Sequence, residues 1–235
     1  MPRCARPRSA GGSDVAGEVT AAQLETWLRR SADVLAAHAE ELTALDSAIG
    51  DADHGTNMAR GFAAVVAKLD AAPADESPTL QALLKSVGMT LISKVGGASG
   101  SLYGTLFLDM GKAAPAANEV DADGFASIVA AGVAGIVGRG HAELGDKTMI
   151  DALDPAVAAL QDAAASGAAP AAAAAGAAEA AAAGRDATEP LVARKGRASY
   201  LGERSAGHID PGAASSALLL QTLADTLADD GGAGA

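Results

Sequence analysis

Apolar residues recur at spacings of three, four and seven along most of this chain, which is the period of amphipathic helices. Leu24, Leu28 and Leu35 show this spacing near the start of the sequence, and Ser77-Pro78 has the form of an N-cap followed by a first-turn proline. Helices are predicted over residues 24–45, 58–69, 77–91, 101–114 and 125–137, from about residue 148, over 170–184, and after Asp210-Pro211. No alternating strand pattern of any length appears. The sequence therefore predicts an all-α fold of about eight helices in a single domain.

The alanine-rich segment over residues 163–184 has two interpretations. It has the composition of a flexible linker, but alanine is the strongest helix former, and Pro170 and Gly184 bracket a helix well. We favour a thin helix that packs closely on its neighbours. Residues 1–18 are predicted to be a disordered basic arm and residues 229–235 a disordered tail, which leaves residues 19–228 as the folded domain.

Composition limits both the core and the partners. Hydrophobic residues make up 49% of the chain and aromatic residues only 3%, so the core must be built from Ala, Leu, Val, Ile and Met. The net charge of −12 argues against a nucleic acid or an anionic membrane as the main partner. A bound polyanion would need metal ions or a few placed cations to offset its charge.

Cysteine usage and the N-terminus favour a cytoplasmic location. Cys4 is the only cysteine, so no intrachain disulfide can form, which fits a reducing compartment. No apolar run follows the arginines of the first ten residues, so this segment does not have the form of a secretory signal. No stretch is predicted to span a membrane, the nearest being the weakly apolar alanine segment. We expect a soluble cytoplasmic protein.

Three aspartates, Asp46, Asp51 and Asp53, crowd into the stretch DSAIGDADHGTN over residues 46–57. Carboxylates at a separation of 4 Å repel one another by roughly 4 kcal/mol per pair near a protein surface. They cannot share one helix face, because Asp46 and Asp51 would point about 140° apart on a helix. A tight turn between two helices would instead fold all three inward.

The glycines of this stretch predict where the turn lies. Gly50 is predicted to end the first helix in the left-handed conformation, and Gly55 with Thr56 to begin the second. Three hard oxygen ligands suit Mg²⁺, which takes a few carboxylates together with phosphate and water. The alternative is a solvated loop in which an aspartate caps a helix, and the residues alone leave both interpretations open.

Two further segments offer groups for a phosphate. In GGASGSLYGT, residues 96–105, glycines ahead of a helix would let backbone N–H groups approach an anion, and Ser99 and Ser101 could donate to it. Glycines that let two helices pack closely are the alternative. Residues 193–215 hold four basic side chains, Arg194, Lys195, Arg197 and Arg204. The guanidinium of Arg197 could donate two parallel hydrogen bonds to a phosphate. The alternative is a solvated run of charges.

Other features do not carry a function by themselves. GRGHAELGDKT, residues 138–148, is not a Walker A loop, because Asp146 separates Gly145 from Lys147 and no strand precedes it. His38 and His141 are expected to be ordinary surface histidines.

Four segments, taken together, resemble the L-subunit family of dihydroxyacetone kinases, in the same order and spacing. They are DSAIGDADHGTNM, GGASGSLYGT, GDKTMID and ARKGRASYLGERSAGHIDPGA. The resemblance covers about residues 20–228. It implies a barrel of eight antiparallel helices that holds a nucleotide in the interhelix loops at one end. The implied ligands of two Mg²⁺ are Asp46, Asp51 and Asp53. The implied nucleotide contacts are His54, Gly55, Thr56, Asn57, Ala98, Ser99, Gly140, Met149, Arg197, Asp210 and Gly212.

The resemblance also implies a reaction and partners. A chain of this kind holds ADP, which becomes ATP when a phosphohistidine carrier (M) subunit charges it, and the phosphoryl group passes to dihydroxyacetone on a K subunit, with Arg197 as the catalytic cation. An alternative is an ATP-dependent kinase for dihydroxyacetone or another small ketose. A second alternative is an ADP-loaded binding module that contacts a transcription regulator. Whether the chain forms a homodimer is left open.

Overall fold

The computed structural model describes residues 17–73 and 77–232 of the 235-residue chain. Nearly all of the predicted arm, residues 1–16, and residues 233–235 of the predicted tail lie outside the described residues. Within them the chain forms nine α-helices, one 3-10 helix and one pair of two-residue strands, so the all-α prediction is confirmed. In chain order the elements are β1 Val19–Thr20, α1 Ala21–Ala37, α2 Ala39–Ile49, α3 His54–Asp70, α4 Leu80–Lys94, α5 Gly97–Ala113, β2 Glu119–Val120, α6 Ala122–Gly140, α7 Ile150–Ala165, α8 Pro170–Ala187, the 3-10 helix Arg197–Ser205, and α9 Pro211–Gly232.

The first apolar stripe forms two helices where the sequence predicted one. His38 has a ψ of 9°, away from the helical value, and separates α1 from α2. The hydrogen bonds from His38 N–H to Val34 O and from Leu42 N–H to His38 O keep the backbone paired across the break. The apolar spacing continues through His38, so periodicity alone could not locate the break.

Other helix boundaries also differ from the prediction. The N-cap of α4 is Thr79, whose Oγ1 accepts from the Ala82 N–H at 3.2 Å, and neither Ser77 nor Pro78 belongs to the helix. Most of the alanine-rich segment lies in helix α8, with Pro170 in its first turn as predicted, while residues 163–165 end α7. The helix α9 continues to Gly232, beyond the predicted boundary at residue 228. The division of the chain into arm, domain and tail stays a prediction.

The helices pack in a closed order. Each of α3 to α8 contacts the next helix along the chain, α9 contacts α1, and α1 contacts α3. These eight helices therefore form a ring, which agrees with the predicted count. The short helix α2 lies against α3 and α9, outside this sequence of neighbours, and it places its last turn beside the loops at one end. The antiparallel barrel geometry stays a prediction.

The core lies inside the ring and is mostly aliphatic, as the composition predicted. Its aromatic centre joins three helices: the ring centroids of Trp27 and Phe107 are 5.8 Å apart and those of Phe62 and Phe107 are 6.3 Å apart. The Trp27 indole N–H donates to Leu219 O at 2.9 Å, which satisfies its one polar atom and connects α1 to α9.

Helix α6, Ala122–Gly140, is the one described helix that is long and apolar enough to cross a membrane, and the sequence analysis did not single it out. In the fold it packs between α5 and α7, and Phe125, Ile128, Val133 and Ile136 lie in the core. One face of α6 is therefore buried against the rest of the domain.

Candidate functional site

Five segments converge on one cleft at the end of the ring: the α2–α3 turn, the start of α5, the residues before α7, the 3-10 helix with its approach, and the start of α9. The cleft has a volume of about 180 Å³. Most of the residues singled out by the sequence line it, namely Asp46, Asp51, Asp53, His54, Ala98, Ser99, Met149, Arg197, Asp210 and Gly212. Segments far apart in the chain thus form one site.

The three aspartates of the first motif form a compact cluster. One carboxylate oxygen from each of Asp46, Asp51 and Asp53 lies within 4.8 Å of the other two. The buried Asp46 also caps α3, because its Oδ2 accepts from the backbone N–H of Asp53 at 2.9 Å and of His54 at 3.1 Å. The two interpretations left open by the sequence are therefore compatible: one aspartate is a cap and all three face each other.

The predicted role of Gly50 is wrong. Its φ is −138°, and the left-handed residue of the turn is Ala52, with a φ of 60°. Glycine is required at position 50 for space, since a Cβ there would lie 1.9 Å from Oδ1 of Asp46, which folds back over the turn. Helix α3 begins at His54 after an Asp53 N-cap, so Gly55 and Thr56 lie in its first turn as predicted, and a Cβ at Gly55 would meet Ala39 O of α2 at 2.0 Å.

The aspartate cluster fits a magnesium site in its chemistry. All three donors are carboxylate oxygens, the hard ligands that Mg²⁺ prefers, and Mg–O bonds of about 2.0–2.1 Å can join oxygens a few ångströms apart. Asp51 and Asp53 are accessible from the cleft, so water or a phosphate could complete the coordination. Without a cation the three charges repel one another, which favours occupancy.

The start of α5 offers an anion site in the same cleft. The N-cap of α5 is Gly96, and no side chain caps this end of the helix. The N–H groups of the first helical turn have no partner within the helix and are therefore available to an anion. Ala98 and Ser99 line the cleft at this point. Ser101 does not, because its hydroxyl donates to Ala98 O at 2.9 Å, so the expectation of a second serine donor is not supported.

The imidazole of His54 joins the aspartate turn to the other walls. It is buried, and its Nδ1 lies 3.0 Å from the Ser99 hydroxyl oxygen while its Nε2 lies 2.8 Å from that of Ser215 on α9. Burial lowers the pKa of His54, although Asp46 and Asp53 act in the opposite direction. The ring is therefore a neutral bridge between α3, α5 and α9 near neutral pH.

The basic segment reaches the aspartates through Arg197. Its guanidinium Nη2 lies 3.0 Å from Oδ2 of Asp51, and Lys195 also lines the cleft. A small apolar cluster of Ile49, Ala193 and Ala198 packs this segment against the end of α2. Packing thus holds Arg197 over the aspartate turn, although its own side chain is largely exposed.

Lys147 is a cleft residue that sequence reasoning missed. Its side chain is buried, and Nζ donates to the carbonyl oxygens of Thr188 at 2.6 Å, of Glu189 at 3.3 Å, and of His208. Its backbone φ is 64°, in the left-handed region. Lys147 therefore ties the loop before α7 to the end of α8 and to the approach of α9. Its partners are 41 to 61 residues away, so the local sequence carries no signal of them.

Asp210 lies at the start of α9 and is almost fully buried. Its Oδ2 accepts from the Ala213 N–H at 2.7 Å, so it caps the helix. Burial raises the pKa of Asp210 to about 7, and the charge of Asp151 acts in the same direction, against the Ala213 N–H and the Lys147 ammonium. Met149 is buried near Asp210, because both residues lie against Gly212. A Cβ at position 212 would lie 3.0 Å from Oδ2 of Asp210 and 3.5 Å from the backbone nitrogen of Met149.

Some predicted residues do not line the cleft: Gly55, Thr56, Asn57, Gly140, Arg194 and Arg204. Asn57 is buried behind the start of α5; its Oδ1 accepts from Arg60 at 2.5 Å, and its Nδ2 has no hydrogen-bond partner in the described part of the chain. The exposed Thr56 hydroxyl donates to Asp53 O at 3.0 Å. Gly140 ends α6 next to Leu102, which does line the cleft.

The balance of charge in the cleft differs from that of the whole chain. The net charge of the protein is −12. In the cleft, the acidic side chains Asp46, Asp51, Asp53 and Asp210 face the basic side chains Lys147, Lys195 and Arg197. A few cations bound to the aspartates would make this end of the protein positive. An acidic protein can therefore bind a polyanion here.

Comparison with known proteins agrees with this geometry. The DAK2 domain model matches residues 48–225. The ADP-binding subunit DhaL of the PEP-dependent dihydroxyacetone kinase of Escherichia coli K12 is 43% identical over 202 residues, which cover 86% of this chain and 95% of that protein. The ADP-binding subunit DhaL of the PTS-dependent enzyme of Lactococcus lactis is 40% identical over 202 residues, with the same coverage.

A solved structure has the same fold. The dihydroxyacetone kinase of C. freundii in complex with AMP-PNP and Mg²⁺ matches with a TM-score of 0.66 and 25% identity, over 96% of this chain and 37% of that one. The match therefore concerns a part of that larger enzyme. By sequence and by fold, this chain belongs to the DAK2 domain family and is similar over most of its length to the ADP-binding subunits of dihydroxyacetone kinases.

Proposed function

We propose that this chain is the ADP-binding subunit of a dihydroxyacetone kinase and that its cleft holds ADP with two Mg²⁺. The observation that carries the proposal is the cluster of Asp46, Asp51 and Asp53, with carboxylate oxygens within 4.8 Å of one another, in the same cleft as the first turn of α5. The first feature suits cations and the second suits phosphate. The names of the similar subunits support the choice of nucleotide.

Each wall of the cleft has its own task in this proposal. The three aspartates hold the ions, and the backbone N–H groups at Ala98 and Ser99 bind a phosphate. Met149, which lines the cleft beside Gly212, covers the adenine with apolar surface. The Nδ2 of Asn57, which has no hydrogen-bond partner in the described part of the chain, lies next to Gly96 at the start of α5.

When bound, ADP carries the phosphoryl group between a phosphohistidine on a carrier subunit and dihydroxyacetone on a K subunit, and Mg²⁺ offsets the phosphate charge. Arg197 donates to the phosphoryl oxygens as negative charge develops on them. Its guanidinium already lies at Asp51, so it can reach the metal end of the cleft. No side chain of this subunit has to act as a nucleophile. The work of the chain is to bind and to orient, in the cytoplasm, where the partner subunits act.

Calorimetric titration of ADP with and without Mg²⁺ tests the proposal. The wild-type protein should bind one ADP per chain only when Mg²⁺ is present. Asp53→Asn should weaken that binding at least tenfold, whereas Asp123→Asn, an exposed aspartate in the first turn of α6, should leave it unchanged. ADP binding that does not depend on Mg²⁺, or that survives Asp53→Asn, would show that the aspartates do not hold the ions.

A further inference from the structure

A buried line of side chains leads from α9 to the phosphate end of the cleft. The Ser216 hydroxyl lies 2.9 Å from the Tyr103 hydroxyl, which lies 2.6 Å from that of Ser215. Ser215 continues to Nε2 of His54 at 2.8 Å, and Nδ1 of His54 continues to the Ser99 hydroxyl at 3.0 Å. His54, Tyr103 and Ser99 line the cleft, and of the members of the line only Ser99, at its end, has a partly exposed side chain. The role assigned to the cleft does not account for Tyr103, Ser215 and Ser216.

Distances and donor strength together give this line a direction, because each hydroxyl has a single proton to donate. Either hydroxyl could donate across the 2.6 Å contact between Tyr103 and Ser215, but the phenol is the more acidic of the two and therefore the better donor. Ser215 is also nearer to Tyr103 than Gly212 O is, at 3.2 Å. With Tyr103 as the donor to Ser215, the proton of Ser215 is left for another acceptor, and His54 Nε2 at 2.8 Å is nearer than the carbonyl oxygens of the preceding turn at 3.1 Å and 3.2 Å. Within the described residues, the Ser216 hydroxyl bonds to Tyr103. The protons therefore point from Ser216 towards His54.

This direction fixes the imidazole and the last serine. A neutral histidine has one donor and one acceptor nitrogen, so an Nε2 that accepts from Ser215 leaves the proton on Nδ1. Nδ1–H then donates to the Ser99 oxygen, and the proton of Ser99 remains for the cleft. In the reverse direction Ser99 would donate to Nδ1, and only its lone pairs would face a bound anion, which they would repel.

We propose that this line of hydrogen bonds is a positioning device that turns the Ser99 hydroxyl into a donor for the nucleotide phosphate. It sets His54 as the Nδ1-protonated tautomer, and Tyr103 and Ser215 act on the phosphate through Ser99. A phosphate at Ser99 reinforces the same direction, since hydrogen bonds aligned in series polarise one another. The identity of the anion rests on the proposed function; the tautomer does not.

Long-range ¹H–¹⁵N spectra measure the tautomer directly. We would record them at pH 8 on the full chain, without ligand and with ADP and Mg²⁺, and assign the His54 signals by their loss in His54→Gln. The expected result is a protonated Nδ1 and an unprotonated Nε2 in both samples. A protonated Nε2 would overturn the proposal. If the protein fails to bind ADP but shows the Nδ1-protonated ring, the proposed function fails and the direction of the line stands.

A double-mutant cycle tests whether Tyr103 acts through Ser99. Tyr103→Phe should weaken ADP affinity about fivefold in the wild-type background, as expected for one neutral hydrogen bond, and less than twofold in a Ser99→Ala background. Ser215→Ala should behave in the same way and is the second variant if the first does not fold. Tyr200→Phe, at an exposed tyrosine, is the matched control and should change neither affinity. Equal effects in the two backgrounds would mean that Tyr103 has only a structural role.

Discussion

Replacing Asp210 with Asn is expected to remove a large part of the pH dependence of stability of the nucleotide-free protein. Burial raises the pKa of Asp210 from 3.8 to about 7. An asparagine keeps an oxygen that can accept the Ala213 N–H, now 2.7 Å from Oδ2, so the start of α9 stays capped. The substitution therefore removes the titration of this side chain and leaves the hydrogen bond.

The sign and the size follow from the two pKa values. Below pH 3.8 the carboxyl is protonated in both the folded and the unfolded chain, so its pKa shift has no effect. Between about pH 4 and pH 7 the unfolded chain loses this proton while the folded chain keeps it, so the free energy of unfolding falls by about 1.4 kcal/mol per pH unit. The fall ends above the folded pKa. Over about three pH units, the free energy of unfolding falls by roughly 4 kcal/mol. This value is an upper limit, because the charge of the nearby Lys147 interacts with the Asp210 carboxylate and the two groups titrate together.

Urea unfolding at pH 5, 6, 7 and 8, in EDTA and without nucleotide, measures the effect. Between pH 5 and pH 8, wild type should lose about 1–3 kcal/mol of unfolding free energy relative to Asp210→Asn. Asp33→Asn, an exposed aspartate of α1, is the matched control and should run parallel to wild type. Parallel curves for Asp210→Asn and wild type would show that the carboxyl ionises in the folded chain with its ordinary pKa.

Three other perturbations probe the remaining parts of the site. Arg197→Ala should slow phosphate transfer at least tenfold and change ADP retention by less than threefold, because a cation that meets developing charge acts mainly in the transition state; equal losses in both measurements would refute this. Lys147→Met should lower the free energy of unfolding in urea by about 2–3 kcal/mol, since its carbonyl partners lose their buried donor, whereas the exposed Lys68→Met should change it little. EDTA added to protein held with ADP and Mg²⁺ at a hundred times the Kd should lower the Tm by about 5–10 °C, and an unchanged Tm would contradict a metal-bridged site.

The elements that local chemistry determines were predictable from the sequence. Pro170 and Pro211 mark the starts of α8 and α9, because proline fits the first helical turn. The apolar spacing of Met58, Phe62 and Val65 gave α3, and these side chains lie in the core. The aspartate motif also indicated a possible cation site from the sequence, because crowded like charges need a counter-ion.

The features that long-range contacts determine were not predictable. Gly50 has the sequence context of a left-handed helix end, yet the position of the Asp46 carboxylate decides its role. Lys147 lies in the segment that is not a Walker A loop, so its sequence context indicated no role. Only the folded chain brings three distant carbonyl groups to its ammonium. The partners of His54 likewise lie on two other helices, at Ser99 and Ser215. Periodicity and spacing describe neighbours along the chain and carry no record of such pairs.

Following one phosphoryl group through the reconstituted enzyme tests the central claim most directly. The subunit would be loaded with ¹⁴C-labelled ADP and Mg²⁺ and freed of excess nucleotide. It would then be mixed with the K subunit, dihydroxyacetone and a carrier subunit that bears ³²P on its phosphohistidine. The claim that this chain holds ADP as a relay predicts that ³²P reaches dihydroxyacetone over many turnovers while ¹⁴C stays on the chain, even with unlabelled ATP present. Loss of ¹⁴C within a turnover, or transfer to dihydroxyacetone only when free ATP is supplied, would contradict it.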